Sequence, residues 1–167
     1  LFFFLGLVDD LRINISPKIR LSLMVIFLIL LVKYNNFYIQ FAGIEIIDNW
    51  LRNSEIFTLI FICLCFLFII NGANLIDGYN GLLGLHALII LTNLFFINFL
   101  SGNKELANLL FFIILILAIF LYFNFPKAKI FLGDSGSYLL GSFVAISVIK
   151  TSIDNPSISP FYFCIIL

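Results

Sequence analysis

Three short stretches of this sequence carry almost all of its reactive chemistry. "GLVDDL" supplies Asp9 and Asp10, "NGANLIDGYNGLLG" at 71–84 supplies Asn74, Asp77, Gly78 and Asn80, and "IFLGDSGSYLLG" supplies Asp134. The middle stretch sets three Asn, four Gly and one Asp between "FTLIFICLCFLFII" and "LHALIILTNLFFINFL". Acids embedded among apolar runs are costly, so they are read first as functional. Four carboxylates brought together would repel one another unless a cation or basic groups sat among them. Mg²⁺ meets that need, because it takes oxygen ligands, commonly one or two carboxylates completed by substrate phosphates and water. Helices are expected to begin near 19, 82 and 135, and helix N-termini offer N–H groups and partial positive charge to phosphate. Glycines at 78, 81, 133 and 136 would let a ligand approach the backbone. Together these groups describe phosphate handling.

Whether the three stretches meet depends on the elements that carry them. The 167 residues are 63% hydrophobic and 11% charged, against about 45–50% and about 25% in a soluble domain. Such a chain needs lipid as its main solvent. Its zero net charge gives no reason to expect a nucleic-acid partner. Apolar runs near 19–34, 56–72, 82–100, 106–123 and 135–150 are each close to the length that crosses a bilayer, with partial runs at 1–8 and 160–167. The expected fold is therefore all-α, a polytopic transmembrane helix bundle with five complete and two truncated spans. It forms one membrane domain over 1–167, read as a fragment cut at both ends. A β-barrel would need alternating segments of about 10 residues, which these are not. The connector 33–55 alternates apolar and polar residues around Phe37 to Ile47, which suggests a small hairpin or an interfacial cap.

Successive spans make the connectors alternate between sides. One side then holds 9–18, 71–81 and 124–134, and with them Asp9, Asp10, Asp77 and Asp134. The basic residues divide five to four in favour of that side, a weak sign that it is cytoplasmic. Taken singly, Asp134 before Ser135 reads as a helix cap and "DGYNG" as a plain turn. Their joint arrival at one face outweighs those readings. Lys18 and Arg20 read as interface anchors, with Lys18 also able to meet a phosphate. His86 and the cysteines at 63, 65 and 164 read as packing residues.

At these motifs the sequence resembles the polyprenyl-phosphate N-acetylhexosamine-1-phosphate transferases. "GLVDDLRINISPKIRL", "NGANLIDGYNGLLG" and "IFLGDSGSYLLG" follow the family's order and spacing and span nearly the whole chain. The resemblance implies a Mg²⁺-dependent transfer of sugar-1-phosphate from a UDP-N-acetylhexosamine to a polyprenyl (undecaprenyl) phosphate lipid, with release of UMP. It places the enzyme in the inner membrane with a cytoplasmic active site, and leaves a homodimer open. By the same resemblance, Asp9 and Asp10 handle the lipid phosphate or its proton, and Asp134 and Asn74 hold Mg²⁺. Asp77 lies beside the diphosphate. Lys18, Gly78, Asn80, Asn124 and Phe131 fall among the substrate-binding positions, with Phe131 matching a ring that stacks on uracil. Asn80 stands where the family often has a second acid, and only seven residues separate Asp10 from Lys18. Both departures favour a polysaccharide-initiating member over the peptidoglycan enzyme. The family's later His-rich loop is missing, so the fragment alone is expected to be inactive. An intramembrane prenyltransferase would want paired DxxxD clusters, whereas Asp77 and Asp134 stand alone. A transporter with broken helices would want midplane breaks and an inverted repeat, neither of which is visible.

Overall fold

The structure is a computed structural model that describes residues 1–13 and 15–160. Its elements are α1 (Phe2–Asp10), α2 (Pro17–Asn35), α3 (Glu45–Asn53), α4 (Glu55–Ile76), α5 (Leu82–Leu100), α6 (Lys104–Asn124) and α7 (Gly133–Asp154). No strand occurs among the described residues. Helix is the expected outcome, because a helix satisfies its own backbone groups where water is absent.

Local signals set the boundaries. Ser16 accepts a hydrogen bond from the Ile19 N–H and Pro17 takes the first helical position of α2. Ser54 ends α3 and caps α4 by accepting from the Phe57 N–H. Asn103 does the same for α6 through the Leu106 N–H. Helix α7 differs, because Leu132 stands at its N-cap position and no local side chain caps it.

Four helices, α4, α5, α6 and α7, are long and apolar enough to cross a membrane. Five complete spans were expected. The fifth, α2, forms over the expected residues, but Lys18, Arg20 and Lys33 fall within its 19 residues and give it too many cations for such a span. The truncated run at 1–8 becomes α1, while residues 161–167 of the other lie outside the described part. Of the two readings of the connector 33–55, a small hairpin or an interfacial cap, the hairpin around 37–47 does not form. The chain there is irregular until α3, whose Ile47 and Leu51 recur at helical spacing and turn inward.

Helix α7 is the axis of the bundle. It packs against α4, α1 and α5 and is the most buried of the four spans. Its sequence explains this, for Ser135, Ser137, Ser142, Ala145 and Ser147 are small and let neighbouring backbones approach. Phe66, Ile62 and Ile70 of α4, Leu91 and Leu94 of α5 and Ile149 of α7 form the centre of the core. At the end away from the acids, the fully buried Asn98 of α5 donates to Thr151 Oγ1 of α7 at 2.8 Å. In lipid such a bond fixes the register of two helices that apolar contacts alone leave free to slide.

Candidate active site

The start of α7 begins without a cap of its own, and α1 supplies one. Asp10 Oδ1 accepts from the Asp134 N–H at 2.9 Å and Asp10 Oδ2 from the Ser135 N–H at 3.0 Å. Burial works to raise the Asp10 pKa. Hydrogen bonds from the Ser135 side chain and from the Ser135 and Asp134 backbone outweigh it and hold the carboxyl below its ordinary range. Two glycines make the docking possible. A Cβ at Gly6 would overlap the backbone of Asp134 and Ser135, and one at Gly133 would lie 2.9 Å from the Asp10 carboxylate. Gly133 also has φ +65°, a region that disfavours other residues.

The second acid of the pair faces elsewhere. Asp9 forms an ion pair with Arg20 of α2, and the Arg20 guanidinium lies 5.8 Å from the centre of the Tyr138 ring. Tyr138, buried on α7, lies beside Asn74. Asn74 Nδ2 donates to Asp134 Oδ1 at 3.2 Å. With its NH₂ group occupied in this way, Asn74 keeps its carbonyl oxygen for another partner. Asp77, at the C-terminal end of α4, is pushed up to about 6, first by burial and second by the nearby charge of Asp134. Asp9, Asp10, Asn74, Asp77 and Asp134 are thus joined through α1, α4 and α7 into one cluster.

The donor set suits a hard cation. No three His, Cys, Asp or Glu side chains converge as a protein-only metal cage among the described residues. Asp134 and Asn74 do present one carboxylate and one amide oxygen, the sparse set that Mg²⁺ accepts when phosphates and water complete its shell.

The remaining expected positions divide. Phe131 is 75% exposed, so its ring is free to stack. Gly78 stands in the open, where an added Cβ would meet only Leu75 O at 4.0 Å. Lys18 is exposed at the start of α2. Asn80 Nδ2 donates to Pro126 O at 3.3 Å, tying the glycine motif to the loop before α7. Asn124 is buried and already engaged, its Oδ1 accepting from the Gly81 N–H at 2.5 Å and its Nδ2 donating to Ile130 O at 2.7 Å. It braces two loops. His86 is packed within the bundle, with Nδ1 buried and unpartnered.

Two residues of the site, Gly6 and Tyr138, were not singled out from the sequence, and Arg20 was read there only as an interface anchor. Gly6 precedes Asp10 by four, which puts both on one helix face. Arg20 follows Lys18 by two, so the two point to different faces of α2. Tyr138 lies four residues after Asp134 and carried the same signal.

The Asp77 shift gives a pH prediction. Its folded value lies above the ordinary 3.8, so the folded state holds the proton more tightly than the unfolded chain. Stability contributed here is present at low pH and is lost as pH rises from near 4 through about 6. Asp77→Asn removes that loss. Thermal unfolding in detergent should show the variant more stable than the parent above pH 6, with the gain vanishing towards pH 4.

Residues 1–152 match the family described as Glycosyl transferase family 4. Among curated proteins, the phospho-N-acetylmuramoyl-pentapeptide-transferase of Dictyoglomus turgidum is 34% identical over 159 residues, covering 90% of this chain and 50% of that protein. The protein of the same name from Clostridium beijerinckii is 31% identical, covering 86% and 47%. That from a Nitratiruptor species is 28% identical, covering 82% and 43%. The chain spans about half the length of these relatives. Their names give no support to the expected polysaccharide-initiating branch and point towards the pentapeptide-transferases instead.

Proposed function

Because the chain belongs to glycosyl transferase family 4, we propose that it transfers a sugar-1-phosphate from a UDP-sugar to polyprenyl phosphate at a membrane surface. An oxygen of the lipid phosphate attacks the β-phosphorus of the donor. The bond from that phosphorus to the bridging oxygen breaks, and UMP leaves. The observation that carries this reading is the convergence of Asp9, Asp10, Asn74, Asp77 and Asp134 at the ends of membrane helices. A charged diphosphate can be held there while the lipid tail stays in the bilayer.

Each residue then has a part. Asp134 and the Asn74 carbonyl would hold Mg²⁺, which when bound neutralises charge on the diphosphate. Asp10 holds the start of α7 and so fixes where Asp134 points. Asp9, paired with Arg20, receives the proton of the lipid phosphate. Lys18 meets that phosphate from α2. An apolar groove of about 380 Å³ between α6 and α7, lined by Ile116, Phe120, Leu132 and Leu139 among others, opens two residues from Asp134. It suits a polyprenyl chain. Such reactions depend on positioning and charge neutralisation more than on covalent chemistry by the protein.

The donor we favour is the UDP-activated N-acetylmuramoyl-pentapeptide, on the strength of the relatives' names. Membranes carrying the full-length protein, given undecaprenyl phosphate and Mg²⁺, should release UMP from that donor. UMP release from UDP-N-acetylglucosamine alone would assign the chain to the other branch, and release from neither would overturn the reading.

Phe131 and Gly78 are assigned to the uridine, with Asn124 bracing the loops on either side. Phe131→Ala should raise KM for the donor about tenfold and change kcat little, because stacking on uracil is nearly equal in ground and transition states. An unchanged KM would place the base elsewhere.

A further inference from the structure

We propose that α3 is seated in the bilayer interface on the side away from the acids, with Ile46 and Trp50 among the lipids and Glu45, Asn49 and Arg52 turned to water. The place of α3 in the chain limits where it can lie. Only Ser54 separates it from α4, and the 22 residues of α4 put its N-terminal end about 33 Å from Asp77. Helix α3 is therefore held at the opposite membrane surface.

Its own residues then set its rotation. Leu51 and Asp48 turn inward, and Asp48 Oδ1 accepts from the Ala42 N–H at 2.6 Å, binding the preceding loop to the helix. At 3.6 residues per turn, Ile46 and Trp50 share one flank of that buried face, and Glu45, Asn49 and Arg52 share the other. The apolar flank is uncovered, with Ile46 74% and Trp50 56% exposed. It is continuous with the span beneath. The Trp50 ring lies 5.8 Å from Phe57, and Phe57 stacks on Phe61 at 6.1 Å, one turn further along α4. Ile56 and Ile60 of α4 are exposed alongside. Tyr34, near the end of α2 on the same side, is exposed too.

A helix with one apolar and one charged flank, an aromatic ring on the apolar flank and a membrane span at its end matches an interfacial helix. Exposed Trp and Ile carry a cost in water that lipid removes. The continuity of this patch with the lipid-facing side of α4 favours lipid over a protein partner.

Trp50 is the only tryptophan in the sequence, so its fluorescence reports this helix alone. In phosphatidylcholine vesicles its emission should be blue-shifted, strongly quenched by lipids brominated near the headgroup end of the acyl chain, and shielded from iodide. Moving the reporter tests the rotation. Ile46→Trp with Trp50→Phe should keep the lipid signature, and Asn49→Trp with Trp50→Phe should lose it and become open to iodide. Circular dichroism checks that each variant keeps its helix content. A Trp50 open to iodide and indifferent to brominated lipid overturns the proposal. So does shielding from both quenchers, which marks a covering protein surface: a second copy if dilution in lipid relieves it, further polypeptide if not. A lipid signature from Asn49→Trp would overturn the assigned flanks. None of these outcomes depends on catalytic activity.

Discussion

Asp134→Asn is expected to lower sugar-phosphate transfer by about a thousandfold or more while leaving the protein folded. The substitution keeps the shape of the side chain and removes its charge. Asn74 can still donate to the amide oxygen that replaces Asp134 Oδ1. The two bonds from Asp10 go to backbone N–H groups, which the substitution does not touch. What is lost is the one carboxylate that faces both Asn74 and Asp77, and with it the charge that offsets a cation on the diphosphate. Losing a single preorganised electrostatic group costs roughly 10²–10³ in kcat, and losing a proposed metal ligand adds to that. UMP release in detergent at increasing Mg²⁺ is the measurement. Full activity at low Mg²⁺ would remove Asp134 from the metal site.

Gly6→Val is expected to damage the same reaction from a residue that touches no substrate. Its Cβ would overlap the backbone of Asp134 and Ser135, so α1 must retreat from α7. Overpacking of this kind costs about 1–3 kcal/mol, and losing the cap adds roughly 0.5–2 kcal/mol. A shift of about 1 Å at a catalytic carboxylate can cost on the order of 10²-fold in rate. The expected result is a lowered unfolding temperature together with a kcat reduced about a hundredfold. Asp10→Ala should show part of both losses without the overlap. A Gly6→Val protein with normal kcat would show that α1 does not set the position of Asp134.

The gathering of the acids was legible because it follows from counting apolar runs: three loops separated by even numbers of expected spans lie on one side. The raised Asp77 pKa is owed first to burial and second to the charge of Asp134 that this convergence brings near. Asp10 was read as a carboxylate for the lipid phosphate, and its use as a cap was not legible. Capping rules look within a turn of the helix, whereas this cap comes from 124 residues away. Asn124 was matched to a nucleotide position by resemblance, and only coordinates reveal that Gly81 and Ile130 occupy its amide. The loop before α3 misled for a different reason. Alternation around Phe37 to Ile47 imitates a strand, but no partner strand lies among the described residues, and an isolated hairpin is marginal. The helical spacing of Ile46 with Trp50 and Ile47 with Leu51 was present in the same stretch and carries the observed structure.

The cap on α7 also bears on how the molecule is made. A ribosome delivers Asp10 first and the N–H groups of Asp134 and Ser135 only after four further long helices have been synthesised. Until then the carboxylate at the end of α1 has no helix to hold, and no partial product can assemble the cluster. The acid cluster therefore assembles in one late event, when α7 docks against α1. A nascent chain interrupted before residue 133 would lack both the N–H groups that Asp10 holds and the Asp134 carboxylate.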